Sequence, residues 1–300
     1  MPPHPWSSPS TGFTGLTGHR PTMEDSHVLT LSFLTSSSSL VDLDCRRSEP
    51  LHLFGVLDGH GGEKCAEYCG RELPKMVKSG LASGLPAAAA VVTAHGSVEA
   101  NWFRSTGTDD SGTTAVLALL ESSTGRVLVS NVGDSRALIV RRTGKSSKAG
   151  RAVPLTVDHD GGNRNEAKRI KVAKGVIDED GYVNRGLTET CVGVQTARSL
   201  GDFDVKYPTG DGDGVVFHSE AVISTPELRW ATLDLDDVLV LGCDGMFEAS
   251  EGSADWMARS VRKHVLDGKT AEEMSELLAN EAVEMGSQDN CSCLVVMAGE

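Results

Sequence analysis

Four aspartates in this chain stand at the ends of apolar runs that read as buried strands. Asp58 closes the run 51–57 in LHLFGVLDGHGG, Asp134 closes VLVSNVGD, Asp244 closes VLVLGCD, and Asp289 directly precedes CSCLVVMA. An ionised carboxylate at the edge of a hydrophobic strand is costly unless a positive charge compensates it. A single such residue usually forms a turn or caps a helix. Four of them, followed by Gly, Ser or Asn and with no basic run nearby, point to a shared cation. Carboxylate oxygens suit hard ions such as Mg²⁺ or Mn²⁺ better than Zn²⁺.

Further polar residues accompany these acids. In Asp58-Gly59-His60-Gly61-Gly62 the glycines let the chain turn sharply and bring a backbone carbonyl close to an ion, with His60 two residues from Asp58. Taken alone, the same five residues also fit an ordinary Gly-rich turn. A P-loop is excluded, because no Lys-Ser or Lys-Thr follows the glycines. Arg20, ahead of Glu24 and Asp25, reads either as half of a surface ion pair or as a bidentate phosphate clamp beside a metal-binding Glu24.

The elements that must position these residues are visible as periodicity. Strand-like runs occupy 27–34, 51–57, 113–120, 126–132, 137–142, 238–243 and 291–298, and helical patterns occupy 62–78, 87–103, 165–174, 254–266 and 271–285. The last helix begins with a capping box, Thr270-Ala-Glu-Glu273. Strands cluster towards both ends with helices between, which predicts an α+β fold. The Pro/Ser-rich residues 1–13 read as a flexible N-terminal segment, and 14–300 as one domain. Polar loops are expected at 35–39, 105–111 and 143–150, and the aspartates around 211–213 read as a solvated loop that lacks the bidentate Glu of a calcium loop. Residues 175–202, rich in Gly, Asp and Thr, read as an irregular lobe.

Composition sets outer limits. A formal net charge of −14 argues against nucleic-acid and anionic-membrane partners. No apolar run approaches the roughly 20 residues of a membrane span. The N-terminus lacks the basic and apolar regions of a signal peptide. Seven cysteines, an odd number without C-x-x-C, read as free buried thiols. A reducing cytoplasmic and/or nuclear location is expected from these features.

The motifs RPTMED, VLDGHGG, SGTTAV, NVGDSRA, LTVDH, TARSLGD, LGCDG and SQDN stand in the order found in metal-dependent serine/threonine phosphatases of the PP2C (PPM) family. The chain resembles that family from about residue 15 to about residue 297. The resemblance implies a four-layer α/β/β/α sandwich of two mostly antiparallel sheets flanked by helices. It implies a centre of two Mn²⁺ or Mg²⁺ ions, with Asp58 bridging both and the Gly59 carbonyl on one. Asp244 and Asp289 would hold the other ion, and Glu24 would reach the Gly59 side directly or through water. Asp134 matches the residue that, with Asp244, holds a third and weaker ion in some members. Arg20 matches the phosphate-binding Arg and His60 the general acid, while Asn290 would orient its neighbour Asp289. The implied reaction is hydrolysis of phosphoserine and phosphothreonine in proteins by in-line attack of a hydroxide bridging the two ions, without a phosphoenzyme.

The implied partners are therefore phosphoproteins, and a monomer is expected. An inactive scaffold with the same fold would be expected to lose Asp58, Asp244 or Asp289, and all three are present. An aspartyl-phosphate enzyme would want D-x-D after the first strand, where this chain has Asp58-Gly59-His60. The stretch GYVNRGLTETCVGVQTARSLGD departs from the usual family wording, near the flap lobe within about 160–200 that members use to select substrates. Glu248 stands where the family usually has Asp.

Overall fold

Strand β3 (Leu51–Leu57) is buried along its whole length, and so is β6 (Ala115–Glu121). Such strands carry apolar residues on both faces because both faces are covered. Phe54, Val56, Val116 and Ala118 face one hydrophobic cluster, while Leu51, Leu53, Leu57, Leu117 and Leu119 face another. The computed structural model, which describes residues 4–34, 50–106, 109–142, 150–186, 191–207, 220–250 and 252–299, shows what covers each face.

One five-stranded sheet has the order β11-β7-β6-β3-β2, formed by β11 (Glu227–Thr232), β7 (Arg126–Val132), β6, β3 and β2 (Ser26–Leu34). The second has the order β1-β13-β12-β8-β9, formed by β1 (Ser10–Leu16), β13 (Cys291–Met297), β12 (Val238–Gly242), β8 (Arg136–Arg142) and β9 (Gly150–Pro154). Every strand pairing in both sheets is antiparallel. The facing sides share the cluster in which Phe54 and Val129 join Ile139, Val240 and Val295. Helices α1 (Lys64–Ala82) and α2 (Ala87–Thr106) cover the outer side of the first sheet. Helices α5 (Asp255–Leu266) and α6 (Ala271–Glu284) cover the second. The result is the expected α+β sandwich in four layers.

Three short strands, β4 (Gly59–His60), β5 (Gly112–Thr113) and β10 (Leu200–Gly201), make a separate small sheet in the order β10-β5-β4. Helix α3 (Arg164–Val172) and the short α4 (Phe203–Lys206) frame a lobe with its own apolar cluster, including Ile170, Val183, Val194, Val205 and Val222. Among the described residues its pairing consists of isolated bridges such as Asp160↔Thr196 and Val183↔Val194. Glu166 ties the lobe together by accepting from both Arg169 and Arg198. Those two guanidiniums overcome its burial and hold its carboxyl down at about 2.

Several expectations need correction. The supposedly flexible N-terminal segment is docked from His4 onward. Trp6 is fully buried, and β1 begins at Ser10 opposite Met297. Its Ser/Gly-rich wording hides a strand that is stabilised by partners from the far end of the chain. Gly12 is required there, because a Cβ would collide with the backbone of α6 at Ala271. The edge strands β9 and β11 were likewise unanticipated, and their exposed residues explain the missing alternation. Helix α2 runs to Thr106, into the loop expected at 105–111. The loops expected at 35–39 and 211–213, and 143–149 of the one at 143–150, lie outside the described residues.

Trp6→Ala should remove a buried aromatic and cost about 3–5 kcal/mol. Urea unfolding of the purified variant measures this. A loose N-terminal segment would lose essentially nothing.

Candidate active site

All nine candidates converge on one cavity of about 350 Å³ at an end of the sandwich: Arg20, Glu24, Asp58, Gly59, His60, Asp134, Asp244, Asp289 and Asn290. They come from separated points in the chain. Asp58 follows β3, Asp134 lies in the β7–β8 turn, Asp244 follows β12, and Asp289 precedes β13. Both large sheets therefore contribute, and the carboxylates meet across the seam between them.

The acids are close enough to oppose one another. Oxygens of Asp58 and Asp244 lie within 4.8 Å of each other and of the Cys243 sulfur. Burial and then the charges of Asp244, Asp25 and Asp134 push the Asp58 carboxyl well above its usual range. Asp134 is raised to about 8 by burial and the neighbouring Asp244 and Asp158. Asp244 is raised by burial and then by Asp289. Cys243 is not a plausible ligand beside them. Its thiol donates to the Asn290 carbonyl at 3.1 Å, its sulfur accepts from Ser292 N–H at 3.1 Å, and burial pushes its pKa well up. It stays a thiol and faces the core.

A dense set of bonds holds the site open. The Thr114 hydroxyl accepts the Asp58 N–H at 3.2 Å, and the Thr113 hydroxyl donates to the Asp58 carbonyl at 3.0 Å. His159 Nδ1 accepts the Gly133 N–H at 3.2 Å and so fixes the turn that carries Asp134. Gly133 has φ +104, open to glycine and closed to most other residues. Arg136 grips Asp158 with two nitrogens, at 2.9 and 2.5 Å, and donates to the Gly252 carbonyl. Glu248 accepts from the Ser287 hydroxyl and the Gln288 N–H, which steadies the approach to Asp289.

Asn290 touches its neighbour through its backbone alone, the N–H donating to Asp289 Oδ1 at 2.7 Å, and its side chain bonds elsewhere. Its Oδ1 accepts the Glu24 N–H at 2.9 Å, and its Nδ2 donates to the carbonyls of Thr17 and Thr22 at 2.9 and 3.0 Å. It thereby stitches the loop carrying Arg20 and Glu24 to the segment carrying Asp289. Arg20 donates to Asp289 Oδ2 at 2.6 Å, across 269 positions of sequence, instead of pairing with Glu24 or Asp25. Glu24 accepts the Gly62 N–H at 3.1 Å. Gly59 has no room for a side chain, because a Cβ there would collide with the Glu24 carbonyl.

Two residues were missed by sequence reasoning. Asp202, in TARSLGD, bonds His60 Nε2 at 2.8 Å and is almost completely buried. Burial opposes its charge, but His60 and Lys206 hold its carboxyl below the ordinary range. In return, Asp202 keeps the His60 ring above its usual pKa despite burial. Asp25, beside Glu24, sits behind the cleft, and burial raises it to about 6. Nothing in residue type or spacing separates either from a helix cap or surface acid. Their presence in RPTMED and TARSLGD is the only signal.

Comparisons with known proteins identify the family. The family model described as "Protein phosphatase 2C" matches residues 10–291. The chain belongs to the protein phosphatase 2C family. It is 30% identical to the fission yeast Schizosaccharomyces pombe "Protein phosphatase 2C homolog 2", over 92% of this chain and 68% of that protein. It is 30% identical to "Protein phosphatase 2C 56" of Arabidopsis thaliana, over 97% of this chain and 68% of that protein. Its fold matches a phosphatase of Toxoplasma gondii with a TM-score of 0.73 at 23% identity, covering 96% of this chain and 92% of the other. A serine-threonine phosphatase 2C of the same organism gives 0.71 at 19% identity, covering 99% and 96%. Among the described residues no helix is long and apolar enough to cross a membrane.

The repulsion in this family member has a thermal signature. Asp58, Asp134 and Asp244 have folded pKa values above their unfolded ones, so the folded state binds protons more readily. Stability then falls as pH rises towards about 8, the value for Asp134. Raised His60 acts in the same direction. Below about pH 6.5 the buried His52, His95 and His159, all lowered, oppose it. In EDTA, the melting temperature should therefore drop between about pH 6.5 and 8, and less so in Asp134→Asn. Mn²⁺ should flatten the slope. A metal-free melting temperature that rises across this window would contradict the charge repulsion.

Proposed function

We propose that this chain is a metal-dependent protein serine/threonine phosphatase, active on phosphoserine and phosphothreonine. The observation that carries the reading is the convergence of Asp58 and Asp244, with oxygens within 4.8 Å and raised pKa values, in the cleft that also holds Arg20 and His60. Such a pair is destabilising without a cation. The donor set fits a hard divalent ion: carboxylate oxygens, a carbonyl at a glycine that admits no side chain, and no committed thiol or imidazole.

Asp58, the Gly59 carbonyl and Glu24 would hold one Mn²⁺ or Mg²⁺, with Asp58, Asp244 and Asp289 holding a second. Asp134 with Asp244 would take a third, weaker one. When bound, such ions neutralise phosphoryl charge and make water a competent nucleophile near neutral pH. The protein's own groups supply the rest. Arg20, whose side chain is 57% exposed at the cleft rim, can turn from Asp289 to a phosphate, where its planar fork offers two donors. His60, protonated and held by Asp202, can donate a proton to the serine or threonine oxygen as the P–O bond breaks. Thr113, Thr114 and Asn290 keep the backbone of the acids in register. We further propose that the chain acts as a monomer in the cytoplasm or nucleus, on phosphoproteins chosen partly by the divergent lobe around Tyr182 and 192–196 that lines the cleft.

Turnover of a phosphothreonine peptide tests this directly. Activity should vanish in EDTA and return with Mn²⁺ or Mg²⁺ but not with Ca²⁺, whose coordination is longer and looser. Asp58→Asn should reduce it most, and full activity of that variant would overturn the reading. Arg20→Ala should lower kcat/KM by about 2–4 kcal/mol of transition-state binding, with a raised KM. Unchanged kinetics would leave Arg20 a partner of Asp289 alone. His60→Ala should cost about 10²–10⁴-fold on a phosphoserine peptide and far less on p-nitrophenyl phosphate, whose leaving group needs no proton. Equal losses on both substrates would assign His60 to support of the site.

A further inference from the structure

The small sheet made by β4, β5 and β10 contains only six residues, yet it gathers three of the chain's motifs. His60 lies opposite Gly112, and Gly112 lies opposite Gly201. Asp202 follows immediately and donates its N–H to the Ser111 carbonyl at 3.2 Å. It is held there in a left-handed conformation, φ 57 and ψ 55, which aspartate tolerates better than most non-glycine residues. Gly112 is the gap that lets the pair form: a Cβ on it would strike both Asp202 carboxylate oxygens and His60 Nε2.

The carboxylate is fixed from behind as well. The second oxygen of Asp202 accepts from the Ser199 hydroxyl. Lys206, 3% exposed, donates to the Ser199 carbonyl at 2.7 Å and pairs with Glu99 of α2. The other oxygen of Glu99 takes the Ser224 hydroxyl at 2.5 Å. Ser199, Lys206 and Glu99 do not line the cleft; Ser199 bonds Asp202 directly, and Lys206 supports it through the Ser199 carbonyl and by its charge.

We infer that Asp202 is a positioning residue for His60, and that the β4-β5-β10 sheet exists to hold the ring with Nε2–H against Asp202 and Nδ1 towards the leaving oxygen. The inference rests on the phosphatase reading of the cleft. In the step, Nδ1–H passes its proton to the serine oxygen, which keeps the electron pair of the broken P–O bond. The neutral ring retains Nε2–H on Asp202 and regains its Nδ1 proton from water. A freely rotating imidazole would present either nitrogen and lose much of this proximity.

Two measurements test it. In the metal-free protein, imidazole NMR should show an exchange-protected Nε2–H that disappears in His60→Ala and in Asp202→Ala. At saturating Mn²⁺, Asp202→Ala should lose about tenfold more kcat on a phosphoserine peptide than on p-nitrophenyl phosphate. Asp202→Asn, which keeps an acceptor oxygen, should recover part of the difference and serves alone if Asp202→Ala does not fold. Persistence of the protected signal in Asp202→Ala, or equal losses on the two substrates in a folded variant, would overturn the inference. A wild-type protein inert towards phosphoserine would instead sink the phosphatase reading, while the NMR signal still judges the His60–Asp202 contact.

Discussion

Asp58 leaves one sheet and Asp244 leaves the other at the same end of the sandwich, and their oxygens approach within 4.8 Å. No described basic side chain bonds either one. Burial raises the cost of both charges, and each raises the cost of the other. Much of the surrounding structure can be understood as what is needed to keep these acids together. The threonines of β5 and its edge fix the Asp58 backbone, His159 fixes the turn before Asp134, and Glu248 fixes the approach to Asp289. Asp58 and Asp244 are thus preorganised by hydrogen bonds to their backbone and its surroundings, while Asp289 carries the one direct counter-charge, Arg20, which can turn away to another anion.

The layered core makes this arrangement rigid. The first sheet is covered by the second on one side and by α1 and α2 on the other, so β3 and β6 cannot shift without opening two apolar clusters. A tight interior transmits rather than absorbs displacement. Acids at the strand ends inherit that stiffness. Arg20 and Glu24 differ, since they lie on a loop held by side-chain bonds, three of them from Asn290 and others to Asp289 and Gly62. The cleft therefore has a stiff acidic floor and a rim held by side-chain bonds.

How much of this was legible in the sequence depended on the type of signal. The strands that carry Asp58, Asp134, Asp244 and Asp289 are long, apolar and buried, and their limits were read to within a residue or so. Helices α5 and α6 were equally plain, the latter through its capping box at Thr270 and Glu273. What escaped depends on tertiary partners. β1, with two glycines and three hydroxyl residues, has no strand pattern of its own and is defined by β13 and α6. β9 and β11 are edge strands with mixed exposure. Among site residues, the nine candidates do share the cleft, but the resemblance gave their roles and the residues alone did not. Asp202 was invisible because its importance lies in a contact with His60 across 142 positions.

The sheet order β1-β13-β12 has a consequence for how the molecule is made. Among the described residues β13 inserts between β1 and β12, so β1 has no strand partner until residues 291–297 are available. During vectorial synthesis, β1 must wait without its strand partner until residues 291–297 have been made. Such long-range closure is slow to form and leaves strand edges exposed meanwhile. Asp289 and Asn290, which complete the cleft, arrive in the same step. Before these residues are made, the nascent chain therefore lacks both the finished sheet and the finished acidic cleft, and it acquires the two together.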